Sequence, residues 1–161
     1  MRIIILTTLI FCLVACNQQT DRTDRLQQQV DSLRNRVENV YAPSLGEFMS
    51  SIQVHHAKLW FAGNNGNWEL ANFETEEIQE AIEDIQKYCK DRTEITELPM
   101  IFPALKNVKL AIFQKNPESF NNSFMLLTKT CNNCHMATQH AFNIIKAPDK
   151  PPYSNQVFEK P

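Results

Sequence analysis

Apolar residues recur along the middle of the chain at helical rather than strand spacing. Leu45, Met49, Ile52, His56 and Leu59 repeat at intervals of 4, 3, 4 and 3, with Phe48 and His55 beside that stripe. This is the period of one helix face and predicts a helix from Ser44, a good N-cap, to Ala62. Gly63 to Asn67 (GNNGN) reads as a turn. A second helix is predicted from Trp68 to about Lys90, with Trp68, Ala71, Ile78, Ile82 and Ile85 on its apolar line and its Glu residues facing solvent. Asp91 to Pro99 reads as a loop, and Phe102 to Gln114 as a third helix through Leu105, Val108 and Ile112. Asn116 and Pro117 have the chemistry of an N-cap and a first helical position. The fourth helix should then run to about Ile145 through Phe120, Phe124, Leu127, Cys131, Cys134, His135, Thr138 and Phe142. No segment alternates with period two. Four amphipathic helices on short connections predict an all-α fold, an up-down-up-down antiparallel four-helix bundle over residues 43–147.

The two ends have other patterns. Arg2 precedes an apolar run from Ile3 to Val14 that is too short to span a bilayer, which takes ~20 residues. It has the form of a signal peptide over residues 1–15. The run ends in Leu13-Val14-Ala15-Cys16, which resembles the bacterial lipobox. That resemblance implies cleavage before Cys16, lipid on its sulfur, and a protein anchored in the cell envelope facing the periplasm or the exterior. The alternative is an ordinary secretory signal with an incidental cysteine. Residues 16–42 form a polar spacer in which Leu26, Val30, Leu33, Val37 and Val40 follow an a/d heptad seam. Two heptads are marginal for an isolated coiled coil, so the spacer is either a simple stalk or a route to homo-oligomers. Residues 148–161 hold Pro148, Pro151, Pro152 and Pro161 and should not be helical, although Tyr153, Val157 and Phe158 could pin them to the bundle.

Composition narrows the function classes. The 161 residues are 43% apolar, enough for one core, and 16 Lys+Arg against 18 Asp+Glu give a net charge of −2, so no basic field points to nucleic acid. Lys106, Lys109 and Lys115 could form a docking patch but more simply make a solvated helix face. Of five cysteines, Cys12 leaves with the signal, Cys16 takes lipid, and Cys89 reads as a small buried hydrophobe.

Cys131-Asn132-Asn133-Cys134-His135 remains. It is CxxCH, the attachment motif for c-type haem, and the chain's own composition would produce it by chance in only about 0.004 of such sequences. Two thiols three residues apart can reach two vinyl groups on one porphyrin edge, and the adjacent imidazole then lies beneath the iron. A thioredoxin-like redox pair would want strands around it, zinc would need a fourth ligand that His140 is badly placed to give, and a plain disulfide stays open.

A CxxCH on the last of four helices resembles the cytochrome c-prime group, the four-helix-bundle c-type cytochromes. The resemblance covers Ser44 to Ile145. It matches residue by residue only at Cys131, Cys134 and His135. It implies one covalently attached haem c per chain, thioethers at Cys131 and Cys134, iron held by His135, and electron exchange with redox partner proteins. The His55-His56 pair departs from that group, which often has an apolar residue there. Counting ten residues from each helix end sets position 54 opposite His135. His56 is therefore the expected distal iron ligand, with His55 and Met49 as alternatives and Met100, Met125 and Met136 less well placed. Trp60, Phe61, Phe124, Phe142 and Ile145 are expected to line the pocket or core. The expected function is single-electron transfer without catalysis. The alternatives are a five-coordinate haem that binds or senses NO or CO, a peroxidase using His55 or His56, and a docking subunit.

Overall fold

The computed structural model describes residues 22–37 and 43–160, and the spacer and the bundle are taken separately. Residues 22–37 are helical (α1) and exposed throughout. Leu26, Val30, Leu33 and Val37 lie in the open at 52–68% of full exposure, so the heptad stripe is present as an uncovered apolar edge. Val40, Cys16 and the signal segment lie outside the described residues.

The remainder is helical, with no strand among the described residues. Helix α2 spans Leu45–Asn64, α3 Trp68–Tyr88, α4 Ile101–Phe113 and α5 Pro117–Ala137, with a 3-10 segment at Thr93–Met100. The starts follow local chemistry. Ser44 and Glu47 form a capping box, each side chain bonding the other's backbone N–H. The side chains of Asn67 and Asn116 accept from Leu70 N and Ser119 N. Helix α4 has no side-chain cap, because it continues from the 3-10 segment: Ile101 N–H donates to Leu98 O. That segment occupies the stretch expected to be a loop, and Pro103 falls in the first turn of α4, where its missing N–H costs little.

Three of the helices stop in one way. At the ends of α2, α4 and α5 the chain turns through Gly66 (φ 68°), Lys115 (φ 51°) and Gln139 (φ 64°). Paired bonds recover the last carbonyls: Gly66 N to Gly63 O and Asn67 N to Ala62 O, Lys115 N to Ile112 O and Asn116 N to Ala111 O, Gln139 N to Met136 O and His140 N to His135 O. These are Schellman motifs, usually built on glycine. Gln139 therefore ends α5 at Ala137, eight residues before the expected Ile145, and the chain returns along the helix.

Helices α2 and α5 run antiparallel in a fixed register. Gly63 meets Phe120, the Trp60 ring lies 4.8 Å from that of Phe124, and His56 Nε2 is 2.8 Å from Thr128 Oγ1. Each step up α2 is a step down α5. Helix α3 packs on α2 and α4, and α4 on α5, a closed set of neighbours compatible with a helical bundle. The end holding Gly63 is filled by aromatics: Phe120 and Phe124 are fully buried, with Trp68 edge-on to Phe120 at 6.0 Å. The tail joins this unit. Phe158 is buried against Phe61 at 5.6 Å and Asn67 Nδ2 donates to Glu159 O, whereas Val157 is exposed and pins nothing. Phe142, expected inside, is 83% exposed because α5 has already ended.

One acidic residue of α3 is not on a solvent face. Glu74 is fully buried against α2, where His55 Nδ1 donates to Oε2 at 2.7 Å and Lys58 Nζ stands 3.6 Å from Oε1. The expected Glu-rich face is thus interrupted where α2 supplies the His55 and Lys58 nitrogens.

Gly63 is the tightest joint. A Cβ there would lie 2.1 Å from the Phe120 ring. Gly63→Ala should destabilise the protein by about 1–3 kcal/mol, measured by urea unfolding, because a filled core resists an added methyl. Gln139→Gly should act oppositely and add ~1 kcal/mol by removing a left-handed side-chain conformation.

Candidate functional site

Away from the aromatic end the four helices do not close on one another. A cavity of about 210 Å³ opens between the first half of α2, the middle of α3, the start of α4 and the last turns of α5. Met49, Ile52 and His56 reach it from α2, Ile78 and Ile82 from α3, Leu98 and Ile101 from the 3-10 junction, and Leu127, Cys131, Cys134 and His135 from α5. The returning chain closes it with Asn143 and Ile145. This explains why Met49 and Ile52, on the same stripe as fully buried Leu59, are only half-buried: they face space instead of a helix.

The motif residues therefore share one cavity with both His56 and Met49. Cys134 is buried, Cys131 half-buried, and both thiols are free. Burial, with the neighbouring Cys134 thiol, pushes the Cys131 pKa up to about 12; burial and then Glu97 raise that of Cys134. Both stay protonated near neutral pH. Redox-active CxxC pairs need a depressed thiol pKa, which this environment does not give. Among the described residues no group of three or more His, Cys, Asp or Glu is placed to hold a metal ion.

His135 has a defined tautomer. Its Nδ1 lies 2.6 Å from the Asn143 carbonyl oxygen, which can only accept, so Nδ1 carries the proton and Nε2 the lone pair. That is the arrangement of a metal-ligating histidine whose other nitrogen is held by a carbonyl.

His56 can be assigned in the same way. The Thr128 hydroxyl gives its one hydrogen to Phe124 O at 2.9 Å, so it must accept from His56 Nε2–H. The nitrogen at the tip of the ring is thus committed to Thr128. The register adds a second constraint. Moving seven residues along α5 from Thr128 reaches His135; seven residues back along α2 from His56 is Met49. His56 stands ~10 Å further along the bundle than His135, and Met49 is level with it. The ten-residue count named position 54 because it took α5 to end at Ile145. His55 faces away from the cavity, bound to Glu74. Met100, Met125 and Met136 do not line the cavity, and Met125 and Met136 are exposed. Trp60 and Phe124 pack against each other, with His56 4.4 Å from Phe124, and only Ile145 of the expected lining group touches the cavity.

Sequence reasoning missed the 3-10 contribution of Leu98, the carbonyl of Asn143 and the role of Thr128. A carbonyl has no sequence signature, and Thr128 could have been found only from the register. Comparison of the chain with protein-family models, curated proteins and solved structures returned no match.

The buried imidazole makes stability depend on pH. Burial lowers the His56 pKa from 6.5 to about 4. The unfolded chain accepts a proton near 6.5 that the folded chain refuses until about pH 4, so this contribution is full above 6.5 and is lost as pH falls towards 4. Urea unfolding of the haem-free protein should show a slope of at most about 1.4 kcal/mol per pH unit from this group, and His56→Leu should remove that component.

Proposed function

We propose that the protein is a monohaem c-type cytochrome that carries single electrons outside the cytoplasm, tethered to a membrane by lipid on Cys16. The observation that carries this reading is the convergence of Cys131, Cys134 and His135 on one apolar-walled cavity, with the His135 lone pair on Nε2. The residues suit the group: Cys131 and Cys134 would hold it by thioethers, and His135 would hold its iron. A bound haem c would supply the reversible one-electron iron couple. The chain's own part is to exclude water with Ile52, Ile78, Ile82, Leu98, Ile101 and Leu127, a wall that disfavours ferric charge. His56 is held neutral by burial and fastened to Thr128, so it adds no charge there.

Across the cavity, the register favours Met49 over His56 as the sixth donor. Neither the buried His56 nor His55, hydrogen-bonded to Glu74, is accompanied by a second catalytic group at the cavity, so electron transfer is preferred to peroxidase chemistry. The exposed stripe of α1 is the surface through which the spacer would join a second copy, and redox partner proteins would meet the bundle at the cavity mouth.

Intact-mass analysis of chain produced with a periplasmic haem-attachment system should show one added haem, lost in Cys131→Ser/Cys134→Ser. No added mass would refute the reading. The oxidised and reduced spectra should be low-spin. Met49→Ala should turn them high-spin while His56→Ala leaves the spin state unchanged. A parent protein that is already high-spin and binds CO rapidly would move the assignment to a gas-binding haem module.

A further inference from the structure

The haem reading uses three of the five motif residues and leaves Asn132 and Asn133 idle. They differ in the structure. Asn133 is exposed, whereas Asn132 is half-buried and its carboxamide is bonded twice to a single residue. Asn132 Nδ2 donates to Ile145 O at 2.8 Å, and Ile145 N–H donates to Asn132 Oδ1 at 2.9 Å. The pair is a two-point clamp between α5 and the chain that folds back after the turn at Gln139. Two residues before the clamp is Asn143, whose carbonyl takes the proton of His135 Nδ1 at 2.6 Å.

Burial seats the returning stretch at Ile145, on the cavity, and at Ala147, against the core, but does little for the residues between Gln139 and Ile145. Phe142 and Ile144 are 83% and 77% exposed, and Asn143 is exposed as well. Its other backbone bond near the clamp, Asn143 N to His140 O, is internal to the returning chain and does not reach α5. The two side-chain bonds of Asn132 are the polar contacts that tie the chain beside the Asn143 carbonyl to α5.

We propose that Asn132 is a positioning residue for His135. By clamping Ile145 it keeps the Asn143 carbonyl on Nδ1, which holds the proton there, leaves the lone pair on Nε2 and makes that nitrogen a stronger donor. Outer-shell partners of this kind orient a ligating histidine and raise its basicity. A more basic axial imidazole favours the oxidised metal, so losing the clamp should make the protein easier to reduce. The inference rests on the haem reading for this last consequence; the positioning itself does not need haem.

The test compares Asn132→Leu, which keeps the size and removes both bonds, with Asn133→Leu, which makes the same polarity change where no clamp exists. In holoprotein, redox titration of Asn132→Leu should give an upward shift of roughly tenfold in the ferrous-to-ferric equilibrium, about 59 mV for one electron, with Asn133→Leu unmoved. Equal potentials in the two variants and the parent would overturn the proposal and leave the haem reading intact. If none of the three chains carries haem, that reading fails, and ¹⁵N spectra of the His135 ring in the same full-length chains decide the positioning. A ring that is Nδ1–H in the parent and mixed in Asn132→Leu supports it. A ring identical in both overturns it.

Discussion

The structure depends on how closely α5 can approach α2. Gly63 has no side chain, and the Phe120 ring occupies the space where one would be. That contact sets the depth of the joint, and the successive pairs Trp60–Phe124 and His56–Thr128 carry its register down the helices. The buried hydrogen bond at His56 makes a slip expensive, since sliding either helix by a turn would leave the buried imidazole N–H without its acceptor. With the register fixed at the aromatic end, the other end has no freedom: Met49 must lie level with His135, and the two cysteines must face the half-buried stripe of α2.

The core is consequently built unevenly. Phe120, Phe124, Trp60 and Trp68 fill one end with rings whose centroids lie 4.8–6.1 Å apart. At the other, aliphatic residues of all four helices face a common space with two protonated thiols and the imidazoles of His56 and His135 along its edge. Apolar side chains that face a cavity instead of one another forgo part of their packing. The helices that leave it are held apart by the packed end and by the 3-10 segment, which brings Leu98 and Ile101 to the rim without sealing it.

Much of the architecture was legible in the sequence, because the helix faces repeat with period 3.6 and the starts carry Ser44, Asn67 and Asn116, whose side chains cap by a local rule. The ends were less legible. Lys115 and Gln139 terminate helices in a conformation that glycine usually takes, and nothing in their chemistry announces it. Thr138 and Phe142 keep the helical period past the true end, so the apolar pattern ran on to Ile145. That difference moves the α2 position level with His135 from the expected 54 to Met49. The buried Glu74 was hidden for a similar reason: its burial is decided by His55 and Lys58 on another helix. The cluster of Cys131, Cys134 and His135 could be read directly, since its spacing is local; its surroundings could not.

The burial of the thiols bears on the order of events in the life of the chain. Cys134 keeps 6% of its surface, and both sulfurs are held in their unreactive, protonated form. On the reading proposed above, a finished bundle would be a poor substrate for any machinery that must reach them. Thioethers at Cys131 and Cys134 would then have to form on the still open polypeptide, before the helices pack around the two sulfurs.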